Sequence, residues 1–276
     1  MDTTNDLLWL AGLALAMAAT GLVSGTLAGL LGVGGGIVIV PILFNVFPFF
    51  DIEEAVQMKL AVATSLATII PTSFVSARKH HATGTMDVAL LRSIWLPMLA
   101  GVALGTFLAV WVRGEGLIAV FALVALLVAL NMGFTGVDFR VAERVPSGPP
   151  RAALGIGLGS VSSMMGIGGG TLGVPILSMF GHPIRAAVAT SSAFGLIISI
   201  PATAGFIWGG WNDPNLPPYS IGYVNLLGFA LIVPTSIIAT PWGVRLAHTI
   251  PPLWLKRAFA VFLAITSVRM FWSLFG

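Results

Sequence analysis

Two glycine-rich stretches carry the residue types best suited to holding an anion. The sequence GVGGGIVIVPIL at 32–43 returns as GIGGGTLGVPIL at 166–177, a shift of 166 − 32 = 134 residues. Each stretch leads into a predicted helix, so backbone N–H groups and the positive end of the helix dipole face the glycines. Glycine also lets a ligand approach the backbone closely. The stretches therefore predict an anion site. Its residues are Gly34, Gly35 and Gly36 in the first copy and Gly168, Gly169, Gly170 and Thr171 in the second.

A second repeated motif places a cation shortly before a pair of hydroxyl residues. KLAVATS at 59–65 matches RAAVATS at 185–191, a shift of 190 − 64 = 126 residues. In each copy the cation stands just over one helical turn before the Thr-Ser pair. Hydroxyls donate hydrogen bonds to an anion without adding a fixed charge. The residues predicted to line a path are Thr64, Ser65, Thr190, Ser191 and Ser192, with Lys59 and Arg185 as cations at opposite entrances.

Both motifs also have a purely structural interpretation, which the sequence leaves open. Glycines spaced in this way allow two helices to pack tightly, and Ser and Thr commonly form helix–helix contacts in membranes. A Lys or Arg near a helix end reaches along the apolar surface towards water. The duplication of the motifs favours the site interpretation, because paired breaks in two membrane repeats mark the binding sites of transporters.

The composition indicates a membrane protein with many spanning helices. Of 276 residues, 57% are hydrophobic and 8% are charged, and the mean hydropathy is +0.99. A soluble domain would carry about a quarter charged residues. The net charge of +3 is scattered along the chain, which favours cytoplasmic anchoring of loops over binding of nucleic acid. The acidic start at 1–6 predicts that no signal peptide precedes the first membrane segment.

The apolar segments divide into two membrane repeats, 1–137 and 152–276, joined by a polar cytoplasmic linker at 138–151. Each repeat has five segments, and an odd number inverts the second repeat relative to the first. The segments beside each glycine break are short, which predicts re-entrant or broken helices whose tips meet near the membrane midplane. The predicted segments are 7–31, 37–47, 55–77, 88–112 and 117–136, then 152–165, 171–180, 186–210, 221–247 and 253–274.

The positive charges predict the orientation in the membrane. With both termini outside, the inside loops hold Arg78, Lys79, Arg140, Arg144, Arg151, Arg185, Lys256 and Arg257. The outside loops hold chiefly Lys59, Arg113 and Arg269. This bias fits the positive-inside rule, so both termini are expected on the outer face.

Other chemistry is poorly supported. The chain has no cysteine, and its four histidines stand at predicted segment ends, so we expect neither a metal site nor a cofactor. No acid lies in the middle of a segment, and any proton coupling must use a residue near an end, such as Asp87, or the substrate's own protonation. Ser160 would suit an intramembrane nucleophile only with a base nearby, and no histidine lies within a segment. An enzyme is therefore not expected.

The paired GxGGGxxxxP motifs, the ATS segments that follow them and the two-repeat plan resemble the TauE/SafE family of sulfite exporter-like transporters. The resemblance covers nearly the whole chain. It implies that sulfite or a small organosulfonate is moved across the bacterial inner membrane, with substrate contacts at the glycine tips and Thr-Ser pairs. Another small anion such as a carboxylate, or a metal ion, stays open as cargo. The expected partners are a sulfur-containing anion and the bilayer, without nucleic acid, and a homodimer is allowed for.

Overall fold

The computed structural model describes residues 3–31, 35–50, 52–82, 84–134, 141–246 and 252–274. In this part of the chain the elements are ten α-helices, a 3-10 turn and one short β-hairpin. The helices of the first half are α1 Thr3–Leu31, α2 Gly36–Val46, α3 Glu54–Ala82, α4 Val88–Trp111 and α5 Gly114–Phe134, with the 3-10 turn at Phe47–Phe50. Those of the second half are α6 Pro149–Met165, α7 Gly170–Met179, α8 Ile184–Gly209, α9 Leu226–Leu246 and α10 Pro252–Trp272, and strands β1 Ser220–Ile221 and β2 Val224–Asn225 precede α9. The predicted all-α class is confirmed.

Five of these helices are long and apolar enough to cross a membrane, namely α3, α4, α5, α8 and most of α9. Two of them form the centre of the bundle: 78% of the most apolar window of α3 and 61% of that of α8 are buried. The same fraction is 39% for α4 and α5 and 33% for α9. Apolar side chains that remain exposed on those outer helices suit contact with lipid.

Helices α2 and α7 are too short to span. They contain 11 and 10 residues, so each is about 16 Å long at 1.5 Å per residue, against a hydrocarbon core of about 30 Å. Each begins directly after a glycine break, at Gly35 and Gly169. The prediction of short broken helices beside the glycine tips is confirmed.

The helices of the two halves exchange partners in a regular way. Helix α1 packs along α9, where Gly25 lies against the backbone of Ser236, and α6 packs along α4, where Gly159 lies against the backbone of Met98. Helix α5 pairs with α10 through a hydrogen bond from Ser267 Oγ to the Ala122 carbonyl, 2.7 Å. By position in each half, α1 corresponds to α6, α4 to α9 and α5 to α10. Exchanging the halves therefore turns the α1–α9 pairing into the α6–α4 pairing and leaves the α5–α10 pairing unchanged.

Two opposite faces of the bundle follow from these contacts. The Lys59 face holds the start of α3, the end of α4 and the hairpin, since Lys59 contacts both Val110 and Tyr223. The Asp87 face holds the starts of α4 and α8 and the loop after α7, since Asp87 contacts both Thr190 and His182. Helix α3 thus starts on one face and its counterpart α8 on the other, the arrangement that an inverted repeat would produce.

Both described chain ends lie on the Lys59 face. Helix α1 runs parallel to α9, as the contacts of Gly21 with Thr235 and of Thr26 with Gly243 show. Helix α10 runs antiparallel to α5, which starts on the Lys59 face, so α10 ends there.

The hairpin is the main departure from the predicted segments, because a helix was expected from residue 221. Gly222 has a positive φ of +53°, which closes the two-residue turn between Ile221 and Val224. The helix begins only after Asn225, whose side chain accepts the Gly228 N–H at 2.8 Å. Helix α6 likewise begins inside the predicted linker, where Gly148 precedes two prolines at the first helical positions.

Candidate functional site

The two glycine tips meet in the buried centre of the bundle. A Cβ atom added to Gly36 would stand 2.5 Å from the Gly166 carbonyl oxygen and 2.9 Å from Ile167 Cα. Ser65 on α3 joins the tips, because its hydroxyl donates to the Gly166 carbonyl at 2.6 Å and lies 3.4 Å from the Gly36 carbonyl. The predicted meeting of the tips is therefore observed, and it brings the starts of α2 and α7 to one region.

The approach of the backbones requires glycine on both sides. Gly35 has φ +78° and Gly168 φ +64°, conformations that residues with a side chain rarely adopt. A Cβ on Gly35 would stand 2.7 Å from the Ser24 carbonyl, and one on Gly169 would collide with Phe194. The packing interpretation of these glycines thus holds, and it is compatible with a site, because α2 and α7 both begin at these glycines.

Buried hydroxyls without a partner lie beside the second tip. Thr171 on the first turn of α7, Ser191 on α8 and Ser162 near the end of α6 are each at most 2% exposed. Their hydroxyl oxygens have no hydrogen-bond partner among the described residues. Ser191 Oγ faces Gly173, which lies two residues after Thr171 and therefore on a different side of α7. Buried polar groups are normally paired, so these hydroxyls are available to a ligand.

Ser162 was not among the residues predicted from sequence. Only its position four residues before Gly166 could have pointed to it, because a residue there lies one turn before the tip. Its own carbonyl accepts the Ile167 N–H, so the segment that forms the tip also fixes this serine.

The two threonines of the ATS motifs form a matching pair of bridges between the halves. Thr64 Oγ1 accepts the backbone N–H of Asn225 at 2.9 Å, and Thr190 Oγ1 accepts the backbone N–H of Asp87 at 3.0 Å. Asp87 caps α4 through Leu90 N–H at 2.9 Å, and Asn225 caps α9 in the same manner. Each threonine therefore holds the start of an outer helix that belongs to the other half.

The two predicted entrance cations differ in their surroundings. Lys59 is half-buried: its ammonium donates to the Val110 carbonyl at 2.8 Å, near the end of α4, and lies 5.4 Å from the centre of the Tyr223 ring. The cation thus meets the negative end of the α4 dipole and the face of an aromatic ring. Arg185, in the first turn of α8, is exposed on the Asp87 face.

The hairpin completes the surroundings of Lys59. The Tyr223 hydroxyl donates to Asp213 Oδ2 at 2.8 Å. Burial, and after it the hydrogen bond to Asp213, raise the pKa of the Tyr223 hydroxyl, which keeps its proton. On the other face the link between α3 and α4 is far shorter, so no matching cover stands over Arg185 in the described residues.

The remaining predicted residues are buried where the structure describes them. Ser192 is buried, but its hydroxyl donates to the Ala189 carbonyl of its own helix at 2.7 Å. Gly34 lies outside the described residues. The predicted site residues that are buried are Gly35, Gly36, Thr64, Ser65, Gly168, Gly169, Gly170, Thr171, Thr190, Ser191 and Ser192.

Comparison with known proteins agrees with this architecture. Residues 17–270 match the family described as sulfite exporter TauE/SafE. This chain belongs to the TauE/SafE family. The match includes both glycine tips, both ATS motifs and every helix that holds them.

Relatives of this TauE/SafE protein are named as transporters. A probable membrane transporter protein of Haemophilus influenzae is 35% identical over 253 residues, which cover 91% of this chain and 95% of the relative. One from Methanocaldococcus jannaschii is 29% identical over 260 residues, 91% of this chain and 92% of the relative. A third, from Bacillus subtilis, is 28% identical over 192 residues, 62% of this chain and 70% of the relative. No solved structure matches the chain.

The TauE/SafE protein is a membrane transporter and not an enzyme. Ser160, considered above as a nucleophile, donates its hydroxyl to the Gly101 carbonyl at 2.9 Å and so fastens α6 to α4. Its role is structural.

Proposed function

We propose that this protein exports sulfite or a small organosulfonate anion by alternating access. The observation that carries the proposal is the pair of buried, unpartnered hydroxyls on Thr171 and Ser191, beside the glycine tips. A sulfur oxyanion offers several acceptor oxygens and no donor when fully ionised, which suits a site made of hydroxyl and backbone N–H donors.

The helix starts add positive potential to the same place. Helices α2 and α7 both begin at the tips, and each contributes the equivalent of about +0.5 charge at its start. The N-cap residues, Gly35 and Gly169, have no side chain to cap the first N–H groups, so no capping side chain competes with a ligand there. No fixed charge is needed at the centre, and an anion held only by dipoles and hydroxyls can also leave.

Lys59 and Arg185 supply the long-range attraction in this proposal. They stand on opposite faces, each just over one turn from the threonine of its own motif. An anion would be drawn to either entrance and then pass to the uncharged centre. Lys59 keeps its structural contacts in the closed arrangement.

The threonine bridges supply the closing contacts. Both bridges are formed in the structure, and in this proposal each bridge closes its face. To open one face, the start of an outer helix must move away from its threonine. This breaks the hydrogen bond of the Asp87 N–H or of the Asn225 N–H. Movement of one half against the other around a fixed central site is how transporters built from inverted repeats work.

Charge distribution supports placing the Asp87 face in the cytoplasm of a bacterial inner membrane. Eight described basic residues lie on the Asp87 face: Arg78, Lys79, Arg92, Arg144, Arg151, Arg185, Arg245 and Arg257. The Lys59 face carries Lys59, Arg113 and Arg269 beside the acids Glu53, Glu54, Glu115 and Asp213. Positive charge is retained inside, so both termini would face outwards.

The test is flux through purified protein in vesicles of known orientation. Labelled sulfite, a small alkanesulfonate and acetate are compared, each from inside and outside. Preferred movement of sulfite or the sulfonate from the Asp87 face to the Lys59 face supports the proposal. Preferred movement of acetate would assign the site to carboxylates instead, and no flux of any of the three would refute an anion exporter of this class.

A further inference from the structure

One isoleucine side chain fills the space between the two glycine tips. Ile69 on α3 is fully buried. A Cβ atom on Gly36 of the first tip would stand 2.6 Å from Ile69 Cδ1, and one on Gly168 of the second tip would stand 3.1 Å from Ile69 Cγ2. The same Cγ2 would lie 3.8 Å from a Cβ on Gly195 of α8. Ile69 therefore packs against both tips and against α8.

Ile69 and Gly195 occupy the same position in the two halves. The ATS motifs are related by a shift of 126 residues, and 195 − 126 = 69. Equivalent residues of two inverted repeats come together only near the axis that relates the repeats, and transporters of this architecture bind their substrates at the repeat interface. The contact between Ile69 and Gly195 thus lies where a substrate site is expected.

The two halves differ at this position for a steric reason. A Cβ on Gly195 would collide with Ser73 Oγ, so α3 leaves no room for a side chain there. The space beside the second tip is filled instead from the first half, by the aliphatic side chain of Ile69. A group that adds carbon atoms to a region packed in this way costs binding or folding free energy.

The polar groups beside the tips are also unequally divided between the halves. Thr171 and Ser191 have hydroxyls without a hydrogen-bond partner among the described residues. At their positions, 171 − 134 = 37 and 191 − 126 = 65, the first half has Ile37 and Ser65. Ser65 already donates its hydroxyl to the second tip. The unpartnered hydroxyls of these pairs therefore belong to the second half, and the apolar Ile37 and Ile69 belong to the first.

We propose that Ile69 sets the size of the group that the transported anion carries beside its charged head; this rests on the anion site proposed above. The head binds at the unpartnered hydroxyls beside the second tip, and its substituent lies against the side chain of Ile69. Because the isoleucine fills the space between the tips, the site accepts sulfite or a head that carries a methyl group and rejects longer chains.

Shortening of Ile69 should open an apolar gap of known size. Ile69→Ala removes three carbon atoms, and 1-butanesulfonate has three more carbon atoms than methanesulfonate. An apolar cavity stays dry and accepts an apolar group. Each methylene that leaves water for such a space strengthens binding about fourfold. The longer anion should therefore gain affinity in this variant, whereas methanesulfonate should not.

The test is equilibrium binding of methanesulfonate and 1-butanesulfonate to the purified full chain, with acetate and pentanoate as the matching carboxylates. In the native protein we expect Kd for 1-butanesulfonate to be at least about tenfold weaker than for methanesulfonate. In Ile69→Ala the ratio of the two Kd values should fall at least about tenfold. In Ile69→Val, which removes one carbon atom and disturbs folding less, it should fall about fourfold.

Ile94→Ala on α4 is the matched control. Ile94 is also fully buried, but it packs against Gly155 of α6. This variant should lose similar stability and keep the native ratio of Kd values. The proposal is overturned if the ratio in folded Ile69→Val and Ile69→Ala stays within about twofold of the native ratio, or if Ile94→Ala shifts the ratio equally.

The two series of anions separate this proposal from the exporter function. Binding of sulfonates with an unchanged ratio in the Ile69 variants would leave the exporter and remove the role of Ile69. Binding of carboxylates alone, with pentanoate gaining on acetate in Ile69→Ala, would leave the role of Ile69 and refute a sulfur anion as the substrate. Binding of neither series would overturn both.

Discussion

The two faces of this transporter share one backbone plan but differ in the side chains that complete it. Each face closes with a threonine that accepts the N–H of a helix cap from the other half. Around the Thr64 bridge stand a fastened lysine, a hairpin and a neutral Asn225, and around the Thr190 bridge stand an exposed arginine and the Asp87–His182 pair. The two faces therefore share the threonine contact and differ in the charged and polar side chains around it.

The largest effect is expected at the tips, where the halves are most alike. In Gly35→Ala the new Cβ would meet the Ser24 carbonyl at a positive φ, and in Gly169→Ala it would meet Phe194. Overpacking costs about 1–3 kcal/mol, and displacement of a tip disturbs the site, so we expect flux per folded protein to fall at least about tenfold in both. Leucine at either position has no room.

Gly157→Ala on α6 is the matched control for the tip variants. A Cβ at Gly157 would meet no atom within 4 Å, so flux and folding should be unchanged. Normal flux in a folded Gly35→Ala or Gly169→Ala protein would mean that the corresponding tip is not part of the path. A loss of flux in only one of the two variants would mean that the two tips do not contribute equally to the site.

Removal of the bridges tests whether the closing contacts are equal. Thr64→Val leaves the buried N–H of Asn225 without its acceptor, which costs about 1–3 kcal/mol, whereas the N–H of Asp87 left by Thr190→Val is part-buried and can be met by water. We expect both variants to lower the free energy of unfolding, Thr64→Val by more, measured by thermal or denaturant unfolding in detergent. Thr106→Val, which removes a buried hydroxyl that has no described partner, should cost nothing. A variant whose loss is no larger than that of Thr106→Val would show that its bridge does not hold its face.

Substitution of the two entrance cations should distinguish an effect on the stability of the fold from an effect on attraction of the anion. Lys59→Gln loses the charge at the end of α4 and the contact with Tyr223, so unfolding should become easier by about 0.3–1 kcal/mol from the dipole contact alone. Arg185→Gln should leave stability unchanged, because Arg185 is exposed. If both act as attractors, Lys59→Gln slows entry of the anion from the outer face and Arg185→Gln slows entry from the inner face.

Flux in both directions through oriented vesicles, normalised to folded protein, measures this asymmetry. If each variant alters the two directions equally, or alters neither, these cations are structural and the entrance proposal fails.

The smallest expected effect is on the hairpin. Tyr223→Phe keeps the ring over Lys59 and removes only the bond to Asp213, worth about 0.5–1.5 kcal/mol. A slightly lower midpoint of thermal unfolding with normal flux is expected. A large change in flux would mean that the hairpin takes part in opening the Lys59 face.

The duplicated plan could be predicted because its signals are local in sequence. The glycine breaks with their prolines recur at one shift and the ATS motifs at another. Helix lengths follow from the lengths of the apolar runs between polar residues. Those signals correctly predicted the all-α class and the short helices, whereas the role of Thr64, Ser65, Thr190 and Ser191 in lining a path stays a prediction.

The contacts between the halves could not be predicted in the same way. Thr64 and Asn225 are 161 residues apart, and Thr190 and Asp87 are 103 apart, so no periodicity relates them. The hairpin was missed because 221–247 has no charged residue before Arg245, and only Gly222 and Asn225 mark where the helix begins. Tyr223, whose ring Lys59 contacts, lies in the same hairpin, so this contact could not be predicted either.

Equilibrium binding of labelled sulfite to the purified protein tests the central claim most directly. The claim is that an anion binds at the tips against the hydroxyls of Thr171 and Ser191. Thr171→Val and Ser191→Ala remove hydroxyls that bond to nothing in the described residues, so folding should be unaffected. A hydrogen bond to a charged group contributes about 1.5–3 kcal/mol, so each variant should weaken Kd at least about tenfold. Thr106→Val should bind normally. Unchanged Kd in both folded variants, or an equal loss in Thr106→Val, would contradict the site.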